Sequence, residues 1–158
     1  MESLKQQLKP LIKGKTVLVG MGNPLKADDG VGSMLVQTLK GKVTAELIDA
    51  GTTPENYLGP ITRVEPVTVI IIDTLHFNKP PGTIKLFTES DFATLSLSTH
   101  AMNPGFFINY LKDKGITNIL FLGVQPAHVS LGGEMSKEVK RAFNKLEGLL
   151  FSLLTDNS

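Results

Sequence analysis

Strands of the fully buried type, alternating with amphipathic helices, predict an α/β chain: a three-layer α/β/α sandwich around a mostly parallel sheet. Three runs carry this expectation. Thr16-Val17-Leu18-Val19-Gly20 is short, apolar and β-branched, the composition of a strand covered on both faces. Thr68-Val69-Ile70-Ile71-Ile72-Asp73 is uniformly apolar until an acid closes it, and residues 118–124 repeat the pattern. Between such runs the apolar residues recur at helical spacing.

Taken in order, Leu4, Leu8, Leu11 and Ile12 mark a short amphipathic lead-in limited by Pro10 and Gly14. After the first strand, Val31, Met34, Leu35 and Leu39 line one face of a helix from Gly30 to Leu39, with Asp28 read as its cap and Gly41 beyond its end. Val43 to Asp49 reads as the second strand, and Pro54 suits the first turn of a helix near 54–62. Lys79-Pro80-Pro81-Gly82 is a turn, and the alternation in Thr83 to Phe87 predicts an antiparallel edge strand because its link to the preceding strand is short. Residues 88–103 are polar and irregular, Pro104 to Lys112 has helical spacing, and the last helix runs from Ser136 to Leu154 through Val139, Phe143, Leu146 and Leu150. No repeat or second domain breaks the chain, so residues 1–158 are expected to form one domain, with 1–14 as lead-in and 16–150 as core.

The bulk numbers narrow the function. With 158 residues, burial of roughly two-thirds of the unfolded surface is expected and no covalent staple is needed. Sixteen basic against fifteen acidic residues give a formal charge of +1 without a basic stripe, which argues against nucleic acid as partner. Zero cysteines exclude disulfides, thiolate metal sites and cysteine nucleophiles. The Lys-rich start lacks the apolar core of a secretory signal, and no apolar run approaches the ~20 residues of a spanning helix. A soluble cytoplasmic protein without membrane insertion is expected.

Ligands of such sheets gather at the carboxyl ends of the strands. There the first strand opens into Gly20-Met21-Gly22-Asn23-Pro24-Leu25-Lys26-Ala27-Asp28-Asp29-Gly30, a glycine-rich strand-to-helix turn. It is no dinucleotide loop, because Leu25 stands where the third glycine belongs and two carboxylates sit where pyrophosphate would meet a helix start. Nor does it match a P-loop. One acid is explained by capping; two leave one over. Asp73 ends the strongest strand at the same edge, and His100 lies in a polar loop before a helix, so a helix-start Asp, a strand-end Asp and a loop His form a candidate oxygen/nitrogen site for a borderline divalent metal. His76 and His128 also lie near strand ends and are expected to be peripheral. A Ser-His-Asp hydrolase is a weaker reading: Ser96, Ser98 and Thr99 neighbour His100, but no G-x-S-x-G elbow is present. Glu55 and Asn56, after the second strand, are candidates for substrate polar groups, although a helix start explains them nearly as well.

The ordered set Gly20-Met21-Gly22-Asn23-Pro24-Leu25, Asp28-Asp29-Gly30-Val31-Gly32, Asp49-Ala50-Gly51-Thr52, Pro54-Glu55-Asn56, Ile72-Asp73 and Ser98-Thr99-His100 resembles the nickel-iron hydrogenase maturation endopeptidases. The similarity is closest to the branch that processes hydrogenase-3 or formate-hydrogenlyase-type large subunits, including the Phe121-Leu122-Gly123-Val124-Gln125-Pro126 segment. The resemblance implies a mixed five-stranded sheet with one antiparallel strand. It also implies a hydrolase that removes the C-terminal extension of the large-subunit precursor once nickel is inserted. Residue by residue, it carries the metal-binding and catalytic trio onto Asp29, Asp73 and His100; Asn23, Gly51, Thr52, Glu55 and Asn56 are the expected substrate contacts. Nickel is then expected to arrive with the precursor rather than reside in the free protease, which is expected to be a monomer. Two alternatives remain: a nickel-loading checkpoint or chaperone that binds the same precursor without cutting it, and, more remotely, a peptidyl-tRNA hydrolase-like enzyme, which shares a Gly-Asn-Pro turn but follows it with a His.

Overall fold

Six residues, Thr16–Met21, form strand β1, buried along its whole length. The computed structural model describes residues 3–92 and 104–155. Ahead of β1, helix α1 (Leu4–Leu8) begins in a capping box in which Ser3 and Gln6 satisfy each other's amides, and a 3₁₀ turn over Lys9–Leu11 follows. β1 runs parallel to β2 (Glu46–Gly51) on one side and to β3 (Thr68–Thr74) on the other; β3 in turn runs parallel to β5 (Asn118–Val124), and β4 (Ile84–Phe87) closes that edge antiparallel to β5. The order β2-β1-β3-β5-β4 is the expected mixed, mostly parallel sheet with its antiparallel strand at the edge.

Side-chain alternation divides the apolar residues between two layers. Leu18, Ile70, Ile72, Leu120 and Leu122 face α2 (Val31–Leu39) and α6 (Lys137–Leu154), whose Leu35, Leu39, Val139, Leu146 and Leu150 are fully buried against them. Val17, Val19, Val69, Ile71, Ile119 and Phe121 face α3 (Leu58–Val64) and α5 (Pro104–Asp113) through Ile61, Phe107 and Leu111. A single helical turn, α4 (Glu89–Phe92), follows β4. Among the described residues no helix is long and apolar enough to cross a membrane.

Three boundaries differ from the sequence reading, each for a tertiary reason. β2 starts at Glu46 rather than Val43, because the Thr44 amide and hydroxyl both donate to the Leu154 carbonyl at the end of α6 (3.0 and 2.8 Å), which takes this segment away from β1. α2 starts at Val31, after a 3₁₀ turn over Ala27–Gly30, and no side chain caps it. The helix expected near 54–62 is a 3₁₀ turn, Pro54–Tyr57, continued by α3 to Val64 and closed by Glu65 in the left-handed region.

Helix α2 meets the sheet backbone on backbone at Gly32. A Cβ on Gly32 would stand 2.3 Å from the Ile72 carbonyl oxygen and 2.5 Å from that of Met21, and one on Gly20 would stand 2.2 Å from the Gly32 carbonyl oxygen. Gly32→Ala is therefore expected to lower stability by about 1–3 kcal/mol, the usual cost of overpacking. Gly148→Ala, within α6 and with open space around the added methyl, is expected to raise it by about 0.5–1 kcal/mol. Urea denaturation of the two variants checks both signs.

Candidate active site at the β1–β3 crevice

In the order β2-β1-β3 the chain goes from β1 to its neighbour on one side, then crosses to the other, so the crevice between β1 and β3 is the topological switch point of the sheet. β1 leaves the sheet there at Gly22, whose φ of +121° suits glycine alone and whose amide donates to the Gly51 carbonyl at 2.8 Å. A Cβ at Gly22 would collide with the Asp29 carbonyl oxygen at 1.9 Å and would lie 3.5 Å from Asp73 Oδ1. The turn thus folds back until the start of α2 lies over the end of β3.

Asp29 and Asp73 meet at this place, 7% and 3% exposed. Asp29 Oδ2 accepts the Asn23 amide at 2.9 Å, and its Oδ1 accepts the Thr74 hydroxyl at 2.9 Å. The Thr74 amide donates to Asp73 Oδ1 at 2.8 Å. Thr74 therefore ties both acids together, the hydroxyl holding one and the amide the other. Sequence reasoning did not single it out; a hydroxyl residue directly after a strand-end acid is the signal that could have done so. His100, the third residue of the expected trio, lies outside the described residues, as do Ser96, Ser98 and Thr99. No group of three His, Cys, Asp or Glu able to hold a metal forms among the described residues. His76 and His128 are exposed on the rim.

Asp28 turns the other way, and its reading as the cap of α2 is corrected. Fully buried, it accepts the Ala127 and His128 amides at 2.8 and 3.2 Å on Oδ2, together with the Ser136 hydroxyl at 2.9 Å, and the Ser136 amide at 2.6 Å on Oδ1. Ser136 is the N-cap of α6. The first acid of the pair is a clamp between the β1–α2 turn and the β5–α6 loop, with charge-assisted hydrogen bonds offsetting its desolvation.

The backbone of the turn explains why it is no phosphate cradle. Asn23 donates to Asp29, Leu25 to its neighbour Asn23 Oδ1, Lys26 to the Asn23 carbonyl, Asp28 to the His128 carbonyl and Asp29 to the Lys26 carbonyl. These five amides are used within the protein, and the group presented to the crevice is a carboxylate.

Beside the crevice, a cleft of about 330 Å³ is lined by Asn23, Gly51, Thr52, Thr53, Tyr57 and Asp49, among others. Asp49 follows the α2-facing side of β2 and accepts the Ser33 hydroxyl at 2.8 Å and the Gln37 amide nitrogen at 2.9 Å. Three of the five expected substrate contacts, Asn23, Gly51 and Thr52, thus share one cleft wall. Glu55 and Asn56 are exposed in the 3₁₀ turn that follows and do not line it.

Residues 31–152, from the start of α2 to near the end of α6, match the family model HycI, hydrogenase maturation protease. The chain belongs to the hydrogenase maturation protease family. It is 32% identical to the hydrogenase 3 maturation protease of Escherichia coli K12 over 139 residues, covering 84% of this chain and 88% of that one. Among solved structures, the [NiFe] hydrogenase maturation protease HycI of Thermococcus kodakarensis superposes with a TM-score of 0.84 at 28% identity, over 94% of this chain and 98% of that one. The solution structure of the endopeptidase HycI of Escherichia coli gives 0.76 at 29% identity, over 85% and 88%. As a maturation protease the chain is a hydrolase of peptide bonds, and the crevice with its two buried carboxylates is the candidate place for that chemistry.

The clamp has a measurable consequence. Asp28→Ala removes the acceptor of three backbone amides and one hydroxyl and is expected to cost ~2–4 kcal/mol, since hydrogen bonds to charged groups contribute about 1.5–3 kcal/mol each and some freed amides regain water. Hydrogen exchange should quicken in residues 126–136 before the rest of the chain. Unchanged protection there would refute the clamp.

Proposed function

We propose that this protein removes the C-terminal extension of a nickel-iron hydrogenase large-subunit precursor after nickel insertion, with Asp29, Asp73 and His100 contacting the nickel that the precursor carries. The observation that carries the reading is the meeting of two buried carboxylates from separate elements at the sheet's switch point, in a chain of the hydrogenase maturation protease family.

The donor chemistry fits a divalent cation of borderline character. Each Asp29 oxygen accepts one hydrogen bond from the described residues, which leaves lone-pair capacity toward the crevice. An imidazole added to two carboxylates makes a mixed nitrogen/oxygen set suited to nickel. The Asn23, Leu25, Lys26, Asp28 and Asp29 amides, which an anionic ligand would draw on, are already used within the protein.

Peptide hydrolysis adds water across the C–N bond: a new C–O bond forms, and the leaving nitrogen takes a proton. The chain's own share is positional. Asn23 and Thr74 hold the two Asp29 oxygens from opposite sides and fix the plane of the carboxylate, while the Thr74 amide fixes Asp73. Substrate nickel seated on these residues sets the scissile bond at a defined distance from the crevice, so proximity supplies much of the catalysis. A divalent ion in that position also polarises a carbonyl or a water. The cleft between Asn23 and Thr52 accommodates chain flanking the scissile bond.

The test is incubation with nickel-loaded and nickel-free precursor, followed by mass measurement of the released tail. The nickel-loaded form should be cut and the nickel-free form left intact. Asp29→Ala, Asp73→Ala and His100→Ala should each slow cutting by on the order of 10²-fold or more, the scale of a misplaced reacting group. Wild-type rates in all three, or equal cutting of both precursor forms, would overturn the reading. Thr74→Val, which keeps the amide and removes the hydroxyl, is expected to slow cutting by roughly 10–100-fold with an unchanged far-UV spectrum.

A further inference from the structure

Two large apolar side chains stand in solvent beside the crevice. Leu25 is 69% exposed in the β1–α2 turn, and Leu131 is 74% exposed in the β5–α6 loop. Scattered surface leucines are ordinary. These two are on loops pinned to each other: the Gly132 amide donates to the Leu25 carbonyl at 2.7 Å, and the Asp28 amide to the His128 carbonyl at 3.2 Å. The Asp28 carboxylate holds residues 127, 128 and 136 from beneath. Pro24 and Met34 extend the same rim. A Cβ on Gly30 would touch the Pro24 Cα at 2.7 Å and the Met34 sulfur at 3.4 Å, and Met34 is itself 39% exposed.

We infer that Leu25 and Leu131, with Pro24 and Met34 beside them, form an apolar docking rim that engages the folded body of the precursor, apart from the nickel and the scissile bond. The inference rests on the proposed function for the identity of the partner. Its own support is continuity with the catalytic crevice. Leu25 is two residues from Asn23, so their Cα atoms are at most about 7 Å apart, and the Asn23 amide holds the carboxylate of Asp29. A protein substrate seated at Asp29 therefore lies within reach of this rim. Because both loops are fixed by these hydrogen bonds, the leucines are presented at little ordering cost at the moment of binding, which is the property of a preformed anchor.

The experiment measures cutting of nickel-loaded precursor by Leu25→Ser, Leu131→Ser and the double variant. Val67→Ser is the control, an exposed apolar residue just ahead of β3 at the opposite edge of the sheet. KM is expected to rise roughly tenfold for each single variant and further for the double variant, the range of an interface anchor, with kcat and the hydrogen exchange of residues 126–136 unchanged. The control should leave both parameters alone. Wild-type KM in the double variant overturns the rim, and so does a fall confined to kcat. Sedimentation gives a further outcome: a wild-type dimer that the double variant dissolves would make this face a self-association surface and overturn the assignment to the precursor. If the wild-type protein fails to cut any precursor, the functional reading fails. Calorimetric titration of uncut precursor then decides the rim: it is supported if the double variant weakens binding by tenfold or more, and overturned otherwise.

Discussion

A Cβ on Gly32 would lie 2.3 Å from the Ile72 carbonyl oxygen, so the helix that follows the two acids meets the sheet with no side chain between. The rest of the site depends on this approach. A helix held off by side chains would keep the usual interlayer distance, and its preceding turn would clear the end of β3. With Gly20 and Gly32 against each other, the turn comes down onto the crevice. There Gly22 gives way to the Asp29 carbonyl, and the Asp29 carboxylate comes within hydrogen-bond reach of Thr74. The crevice therefore exists because the sequence withholds three methyl groups, at Gly20, Gly22 and Gly32.

From that contact the adjacent acids take opposite duties. Successive residues in a 3₁₀ turn point about 120° apart, so one carboxylate can face the crevice only if the next faces away. Asp29 faces the crevice; Asp28 faces the β5–α6 loop and gathers donors from residues 127, 128 and 136. Both are buried, and each buried carboxylate requires hydrogen bonds to offset lost solvation. For Asp28 those donors come from a segment about 100 residues away, which makes its burial a device for fixing the rim. For Asp29 the donors are one backbone amide and one hydroxyl, enough to orient it while leaving it able to meet a cation.

Much of the architecture was legible because buried parallel strands are written as continuous apolar runs. Thr68 to Asp73 and residues 118–124 could hardly be anything else, and the short link between β3 and β4, which contains the Lys79–Gly82 turn, leaves no room for a crossover helix, so β4 runs back along the sheet and pairs antiparallel with β5. What escaped were features decided by distant partners. The start of β2 is set by the Leu154 carbonyl, 110 residues from Thr44. Asp28 carried the local signature of a helix cap, and only the fold brings Ser136 to it. At the site, Asp29 and Asp73 were legible as acids at the carboxyl edge of a parallel sheet. Thr74 was not, since its role depends on which side of β3 the start of α2 lies. The Asp49 network with Ser33 and Gln37 likewise needs α2 and β2 side by side, although the Asp49-Ala50-Gly51-Thr52 motif pointed to that loop.

The glycine-rich turn after a first parallel strand is the commonest place for an α/β fold to bind an anion, because the helix start offers amides that nothing else uses. Here the fold consumes most of those amides before any ligand arrives. Asn23 gives its amide to Asp29, and Asp28 and Asp29 give theirs to the His128 and Lys26 carbonyls. The same turn thus changes the sign of the site: its Asn23 amide serves to hold a carboxylate, and that carboxylate is what the crevice presents. On the proposed reading, in which cutting follows nickel insertion, this inversion has a direct use. In that reading a crevice with two held carboxylates disfavours an acidic partner and gains most of its attraction when the partner brings a cation, so recognition of loading and placement of the bond to be cut would depend on one contact.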